Sequence, residues 1–91
     1  MSHEDLAHHV YIIECCDGTL YTGYARNVEE RVKVHNEGKG AKYTRGRRPV
    51  RLLYSETCTN KSAALRRERE IKAKARKAKL RLIEGNGKQG L

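Results

Sequence analysis

The 91-residue sequence has no tryptophan, no phenylalanine, one proline and three cysteines. No hydrophobic run approaches the roughly 18 residues that a membrane-spanning helix needs, and no amphipathic stretch ends in bulky anchors. With no stretch that reads as a secretory signal, no membrane partner is expected. The cysteines, Cys15, Cys16 and Cys58, are odd in number, and in a strand the adjacent pair would point to opposite faces. Disulfide scaffolding is therefore disfavoured, and the paired C-x2-C spacing of a zinc site is missing. Free thiols fit a reducing, cytoplasmic setting. His3, His8 and His9 stand near the terminus, where solvation is expected rather than metal ligation. The length leaves room for one domain and a modest core, so one sheet with two or three helices is the upper limit.

What the chain has in excess is positive charge. Twenty Lys or Arg against eleven Asp or Glu leave a formal charge of +9, a field that favours polyanions. Nucleic acid is the default partner. There is no internal repeat.

The stretch from Val10 to His35, VYIIECCDGTLYTGYARNVEERVKVH, organises the rest. After a loosely ordered segment over 1–8, Val10 to Cys16 and Leu20 to Tyr24 read as strands joined at Asp17-Gly18. The register matters for function. A two-residue loop would set Tyr11 opposite Tyr24 and put Tyr21 on the other face. A three-residue connection, with Gly18 in or beside a bulge, places Tyr11, Ile13, Tyr21 and Gly23 on one face. A shared tyrosine site requires the second arrangement.

Asn27 then reads as an N-cap with Glu30 three residues on, and Gly38 as the stop of a helix over roughly Val28 to Glu37. Val28, Val32 and His35 share one stripe, flanked by Arg31. Arg31 is either a solvated helix arginine or a charged group set beside an apolar face. His35 is either structural or functional. The basic run GKGAKYTRGRRP, through Lys39 to Pro49, reads as a loop that nucleic acid contacts. Its glycines allow close approach, and Lys39, Lys42, Arg45, Arg47 and Arg48 neutralise phosphates. Tyr43 can stack on an unpaired base, and Thr44 can donate to phosphate oxygens.

Val50 to Glu56 alternates as a third strand. Thr59 or Asn60 caps a helix from about Lys61 whose inward stripe runs through Ala64, Leu65, Glu68, Ile71, Lys72 and Ala75. Glu68 is an acid on a packing face: an edge carboxylate paired with Arg31 or a nearby lysine, or a metal ligand or acid/base group. Glu70 lies opposite, as a surface ion-pair partner. A basic helix continues over Lys74 to Glu84, broken near Lys74 to Arg76, and the Gly-rich tail over 85–91 is expected to fray.

Val10-Tyr11 opening one strand, Tyr21-Thr22-Gly23 in the next, Arg31 and His35 on the first helix, and Ala64-Leu65 leading into Glu68 together resemble the GIY-YIG nuclease superfamily. GKGAKYTRGRRPV resembles in particular its small stand-alone bacterial branch, an uncharacterised family. The match covers roughly His9 to Glu84. The resemblance implies an α+β fold, a three-stranded antiparallel sheet flanked by helices in the order ββαβαα. It also implies metal-dependent cleavage of nucleic acid, DNA ahead of RNA, in a setting of DNA repair or processing. Tyr11 and Tyr21 match the tyrosines of the two motifs, Arg31 the family's arginine, His35 the histidine one turn later, and Glu68 the metal-binding glutamate. His9 and Thr22 depart from the glycine and isoleucine of the motifs, and the late asparagine of several relatives has no clear counterpart in Asn60 or Asn86.

Such chemistry needs an activated water, a group to neutralise charge on the phosphoryl oxygens, and help for the departing oxygen. Glu68 with several waters suits one Mg²⁺ or Mn²⁺. No small-molecule cofactor is expected. Arg31 can hold two phosphate oxygens. Tyr11 is the expected general base, with a depressed pKa supplied by Arg31 or metal-bound water, and Tyr21 positions the water, though the two roles are interchangeable. His35 orients a tyrosine or relays the proton. The alternative is a non-catalytic DNA- or RNA-binding module on the same scaffold.

Overall fold

The structure, a computed structural model, describes residues 7–89. Its elements run β1 (His8–Glu14), β2 (Leu20–Ala25), α1 (Val28–Asn36), α2 (Lys42–Arg45), β3 (Arg51–Cys58), α3 (Lys61–Lys72) and α4 (Arg76–Gln89). This is the expected ββαβαα order with one short helix, α2, added inside the basic run.

The sheet is antiparallel throughout, with β1 between β2 and β3. The central place falls to the most continuously apolar run in the chain, because only a strand covered on both faces can bury one. Val10 and Ile12 pack on one face with Tyr54, Ala64 and Ile71, joined by Leu82 and Ile83 of α4. Tyr11, Ile13 and Cys15 pack on the other with Ala25 and Val50, bordered by Val28 and Val32 of α1. Helices thus cover both faces of a three-stranded sheet.

The hairpin adopts the three-residue connection. Cys15 N–H bonds Thr19 C=O at 2.8 Å and Gly18 N–H bonds Cys15 C=O at 2.9 Å, with Gly18 at φ +86°. Tyr11 therefore pairs with Gly23 and Ile13 with Tyr21, on the shared face that a tyrosine site requires. Gly18 is glycine because a left-handed residue must close this loop.

Both helix caps expected from the sequence are present. Asn27 Oδ1 accepts from Glu30 N–H at 3.0 Å and Asn60 Oδ1 from Ala63 N–H at 2.8 Å. Helix α1 closes with Gly38 N–H on His35 C=O and Lys39 N–H on Val34 C=O, the paired bonds of a Schellman stop. The Asn36 amide then clamps the backbone of Val50, accepting its N–H at 2.7 Å and donating to its C=O at 3.1 Å. Across the sheet, Tyr54 donates to Glu56, whose other oxygen accepts from Arg67 Nε at 2.8 Å, and Arg67 reaches Glu70 at 3.2 Å. Burial and the Glu56 carboxylate push the Tyr54 hydroxyl up to about 12, so it remains a donor. This network ties α3 to β3.

Several boundaries differ from the sequence reading by one or two residues, β3 running Arg51–Cys58 instead of Val50 to Glu56, and three differences go further. β1 begins at His8, where His8 Nδ1 meets Tyr24 Oη at 2.9 Å and His9 Nδ1 meets Thr57 Oγ1 at 3.2 Å; these histidines are held in the sheet rather than solvated. His3 lies outside the described residues. The middle of the basic run, read as loop throughout, forms the four-residue helix α2. Residues 85–89, read as a fraying tail, continue α4, because Leu82 and Ile83 dock the helix on the core. Among the described residues no helix is long and apolar enough to cross a membrane.

These assignments give opposite expectations for two glycines. Gly18→Ala should destabilise the protein by about 1–2 kcal/mol through left-handed strain. Gly85→Ala, in an exposed helical position with open space around its Cβ, should stabilise by roughly 0.5–1 kcal/mol. Urea unfolding of both variants checks the turn and the helical assignment of α4 together.

Candidate active site

Tyr11, Tyr21, Arg31, His35 and Glu68, drawn from β1, β2, α1 and α3, line one open cleft of about 420 Å³, together with Lys39, Gly40 and Leu65. Residues spread over 58 positions of sequence thus meet at one place.

His35 is its pivot. The ring is 1% exposed, with Nε2 2.9 Å from Tyr11 Oη and Nδ1 2.9 Å from Thr44 Oγ1. The tautomer follows from donor counting. Thr44 has one hydroxyl hydrogen and donates it to Ala41 C=O at 2.9 Å, so toward His35 it only accepts. His35 Nδ1 therefore carries the hydrogen, and Nε2 presents a lone pair to which Tyr11 donates. A directed chain runs from Tyr11 O–H through His35 and Thr44 to the Ala41 carbonyl.

The chain also defines the two neighbouring glycines. A Cβ on Gly23 would collide with the Tyr11 hydroxyl, and one on Gly40 with the His35 ring. Thr44, read from the sequence as a phosphate donor, is fully buried and spent on His35. Gly40 and Thr44 are the site residues that sequence reasoning missed or misplaced, and their only signal is a glycine and a hydroxyl residue in the run that follows His35.

Electrostatics set the resting protonation states. Burial, reinforced by Tyr21, pushes the Tyr11 hydroxyl far above its ordinary value, and Arg31 opposes this only in part. The depressed Tyr11 pKa expected from the sequence is not found in the free protein, because desolvation outweighs the guanidinium. Burial, followed by the Arg31 charge, holds His35 below its ordinary 6.5, so the imidazole rests neutral.

Glu68 projects from α3 with its side chain 17% exposed and pairs with Lys72 at 3.0 Å. An i,i+4 pair of this kind is worth only about 0.3–0.5 kcal/mol, so the carboxylate is available to a stronger cation. Among the described residues no three His, Cys, Asp or Glu groups gather to cage a metal. One carboxylate in a cleft open to solvent fits a hard ion that keeps most of its hydration shell, as Mg²⁺ or Mn²⁺ does.

The cations read as a phosphate-binding loop divide in two. Arg47 is engaged with Asp17 at 3.0 Å and with Tyr43 C=O at 2.8 Å. Arg48 is spent on Arg45 C=O and Asn36 C=O. Arg31, Lys39, Lys42 and Arg45 are exposed, and their charged groups have no hydrogen-bond or ion-pair partner among the described residues. Tyr43 is half-exposed but already dressed, with Arg47 Cζ 4.1 Å from its ring centre and the Tyr21 ring stacked at 5.9 Å.

Two outcomes test this geometry. Thr44→Val leaves a buried N–H without an acceptor and should cost about 1–3 kcal/mol, whereas Thr44→Ser keeps the oxygen and should cost about 1 kcal/mol. Because the folded state resists a proton that unfolded His35 takes up, the stability from neutral His35 is full above its ordinary 6.5 and declines as pH falls toward the lowered folded value. Urea midpoints at about pH 7.5 and about pH 5.5 should show that decline, reduced in His35→Gln.

The profile of the GIY-YIG catalytic domain matches residues 7–81. A UPF0213 protein of Staphylococcus epidermidis is 61% identical over 77 residues, 85% of this chain and 94% of that one. A UPF0213 protein of Staphylococcus aureus is 59% identical over 78 residues, 86% and 95% of the two chains. The solution NMR structure of a UPF0213 protein from Bacillus halodurans superposes with a TM-score of 0.56 at 49% identity, covering 86% of this chain and 83% of that one. With the family model matching most of its length and these relatives covered nearly end to end, the chain belongs to the GIY-YIG catalytic domain family.

Proposed function

We infer that the protein is a metal-dependent nuclease that hydrolyses phosphodiester bonds in nucleic acid, DNA ahead of RNA. The observation that carries this reading is the convergence of Tyr11, Tyr21, Arg31, His35 and Glu68 on one cleft. A module that only bound nucleic acid would have no use for a carboxylate facing the phosphate.

Glu68 would hold one Mg²⁺ or Mn²⁺, which when bound neutralises charge on the phosphate and on the departing oxygen. Arg31, exposed at the cleft and unpaired among the described residues, binds non-bridging phosphate oxygens through its planar fork. Lys39 adds charge beside it. Lys42 and Arg45 extend the contact along the backbone of the substrate.

Tyr11 acts as the base only in concert with His35. A hydroxyl so reluctant to ionise does not rest as a phenolate. As its oxygen takes a proton from the attacking water, its own proton passes to His35 Nε2 along the existing 2.9 Å hydrogen bond. His35 keeps its Nδ1–H on Thr44 throughout, so the imidazolium is held in place by both nitrogens. Tyr21 lines the cleft edge-on to His35 and orients the water. His35 therefore relays rather than initiates, and its loss should be milder than that of Arg31 or Glu68.

Labelled single-stranded, duplex and branched DNA, with parallel RNA, tests the reading. Cleavage with Mg²⁺ or Mn²⁺ should fall by roughly a hundredfold or more in Glu68→Ala and Arg31→Lys. No cleavage on any substrate, with tight salt-sensitive binding that Glu68→Ala leaves intact, would leave the binding module instead.

A further inference from the structure

Glu68 already has a cation. The Lys72 ammonium, one helical turn along α3, lies 3.0 Å from Glu68 Oε2 and 5.8 Å from the centre of the Tyr21 ring. Lys72 thus stands beside the cleft on its α3 side, paired with the one carboxylate that lines it and near Tyr21, which lines it too. The two partners are unequally anchored. The Glu68 side chain is 17% exposed and the Lys72 side chain 49%, so the lysine can leave and the carboxylate cannot.

We propose that Lys72 is a displaceable counter-ion of Glu68. It neutralises the carboxylate in the free protein, yields it when a divalent cation arrives, and then turns its ammonium to a phosphate oxygen of the bound nucleic acid. The proposal rests on the nuclease reading above.

Three physical points support the exchange. A mostly buried carboxylate without a counter-charge is costly to hold, so the empty state needs a cation near Glu68. That cation must be weakly held. A flexible ammonium paired at i,i+4 satisfies this, whereas an arginine fork on the carboxylate would resist displacement. A divalent ion at the same carboxylate doubles the attraction and also repels the ammonium. Lys72 is the last residue of α3, beside a cleft lined by Arg31 and Lys39, which are unpaired among the described residues. It then completes a positive rim from the α3 side. Lys72 is on this account a positioning residue.

The test uses the full chain and the metal alone, with Mn²⁺ titrated by electron paramagnetic resonance against the natural protein, Glu68→Gln, Lys72→Met and Lys72→Arg. Lys72→Met should tighten Mn²⁺ by about three- to tenfold through loss of the competing charge, and Lys72→Arg should weaken it. The same Lys72→Met variant should bind duplex DNA more weakly with Mn²⁺ present, its log–log salt slope shallower by roughly 0.9, one phosphate's worth. A lysine that merely stabilised its helix would not move metal and nucleic-acid affinity in opposite directions. Mn²⁺ affinity unchanged or weaker in Lys72→Met, with Glu68→Gln abolishing binding, overturns the counter-ion role and leaves the metal site standing. Mn²⁺ binding that Glu68→Gln does not affect, or no Mn²⁺ binding by the natural protein, overturns the metal-dependent reading and this proposal with it.

Discussion

Burying a tyrosine hydroxyl, an imidazole and a threonine hydroxyl is costly unless they find partners, and the way these three meet that cost shapes the structure around them. Tyr11, His35 and Thr44 satisfy one another in a single direction and end on the Ala41 carbonyl. β1, α1 and α2 are thereby fixed to each other by hydrogen bonds as well as by apolar contact. Gly23 and Gly40 follow from the same chain, because the ring and the hydroxyl occupy the space that a Cβ would need.

The parts of the fold that depend on local rules are legible in the sequence. Asn27 and Asn60 cap their helices, Gly38 stops α1, and of the two hairpin loops the sequence left open, the three-residue one that a shared tyrosine site requires is the one that forms. The candidate constellation was legible as one set only through its resemblance to the GIY-YIG pattern, since no local rule brings Glu68 of α3 to the same cleft as Arg31 of α1. What could not be read depends on tertiary context. Helix α2 is four residues long with no side-chain cap, and Thr44 within it is anchored by a histidine nine residues away. A hydroxyl amid lysines and arginines reads as surface, and only the folded chain turns it inward. The Gly-rich end of α4 reads as a tail because propensity cannot register the docking of Leu82 and Ile83.

Net charge was similarly ambiguous residue by residue. It pointed to a polyanion, yet it could not separate cations that face solvent from cations that brace the fold. Arg47 joins α2's end to the hairpin, Arg48 satisfies carbonyls near the end of α1, Arg67 ties α3 to β3, and Arg76 donates to Gly18 C=O at 2.7 Å. Of α1 and the basic run, Arg31, Lys39, Lys42 and Arg45 are left without such partners among the described residues, and Arg31 and Lys39 line the cleft. Arginine dominates the bracing set, as its several fixed donors would favour.

The hairpin turn has a consequence for how this chain can vary in length. Cys16 N–H bonds Arg47 C=O, Asp17 pairs with Arg47, and Gly18 C=O accepts from Arg76. A surface turn is ordinarily where insertions and deletions accumulate, but here one residue more or fewer would reverse the parity of β2 and carry Tyr21 to the far side of the sheet. This surface turn is thus a loop with little freedom to change its length, and fusions or inserted tags belong elsewhere.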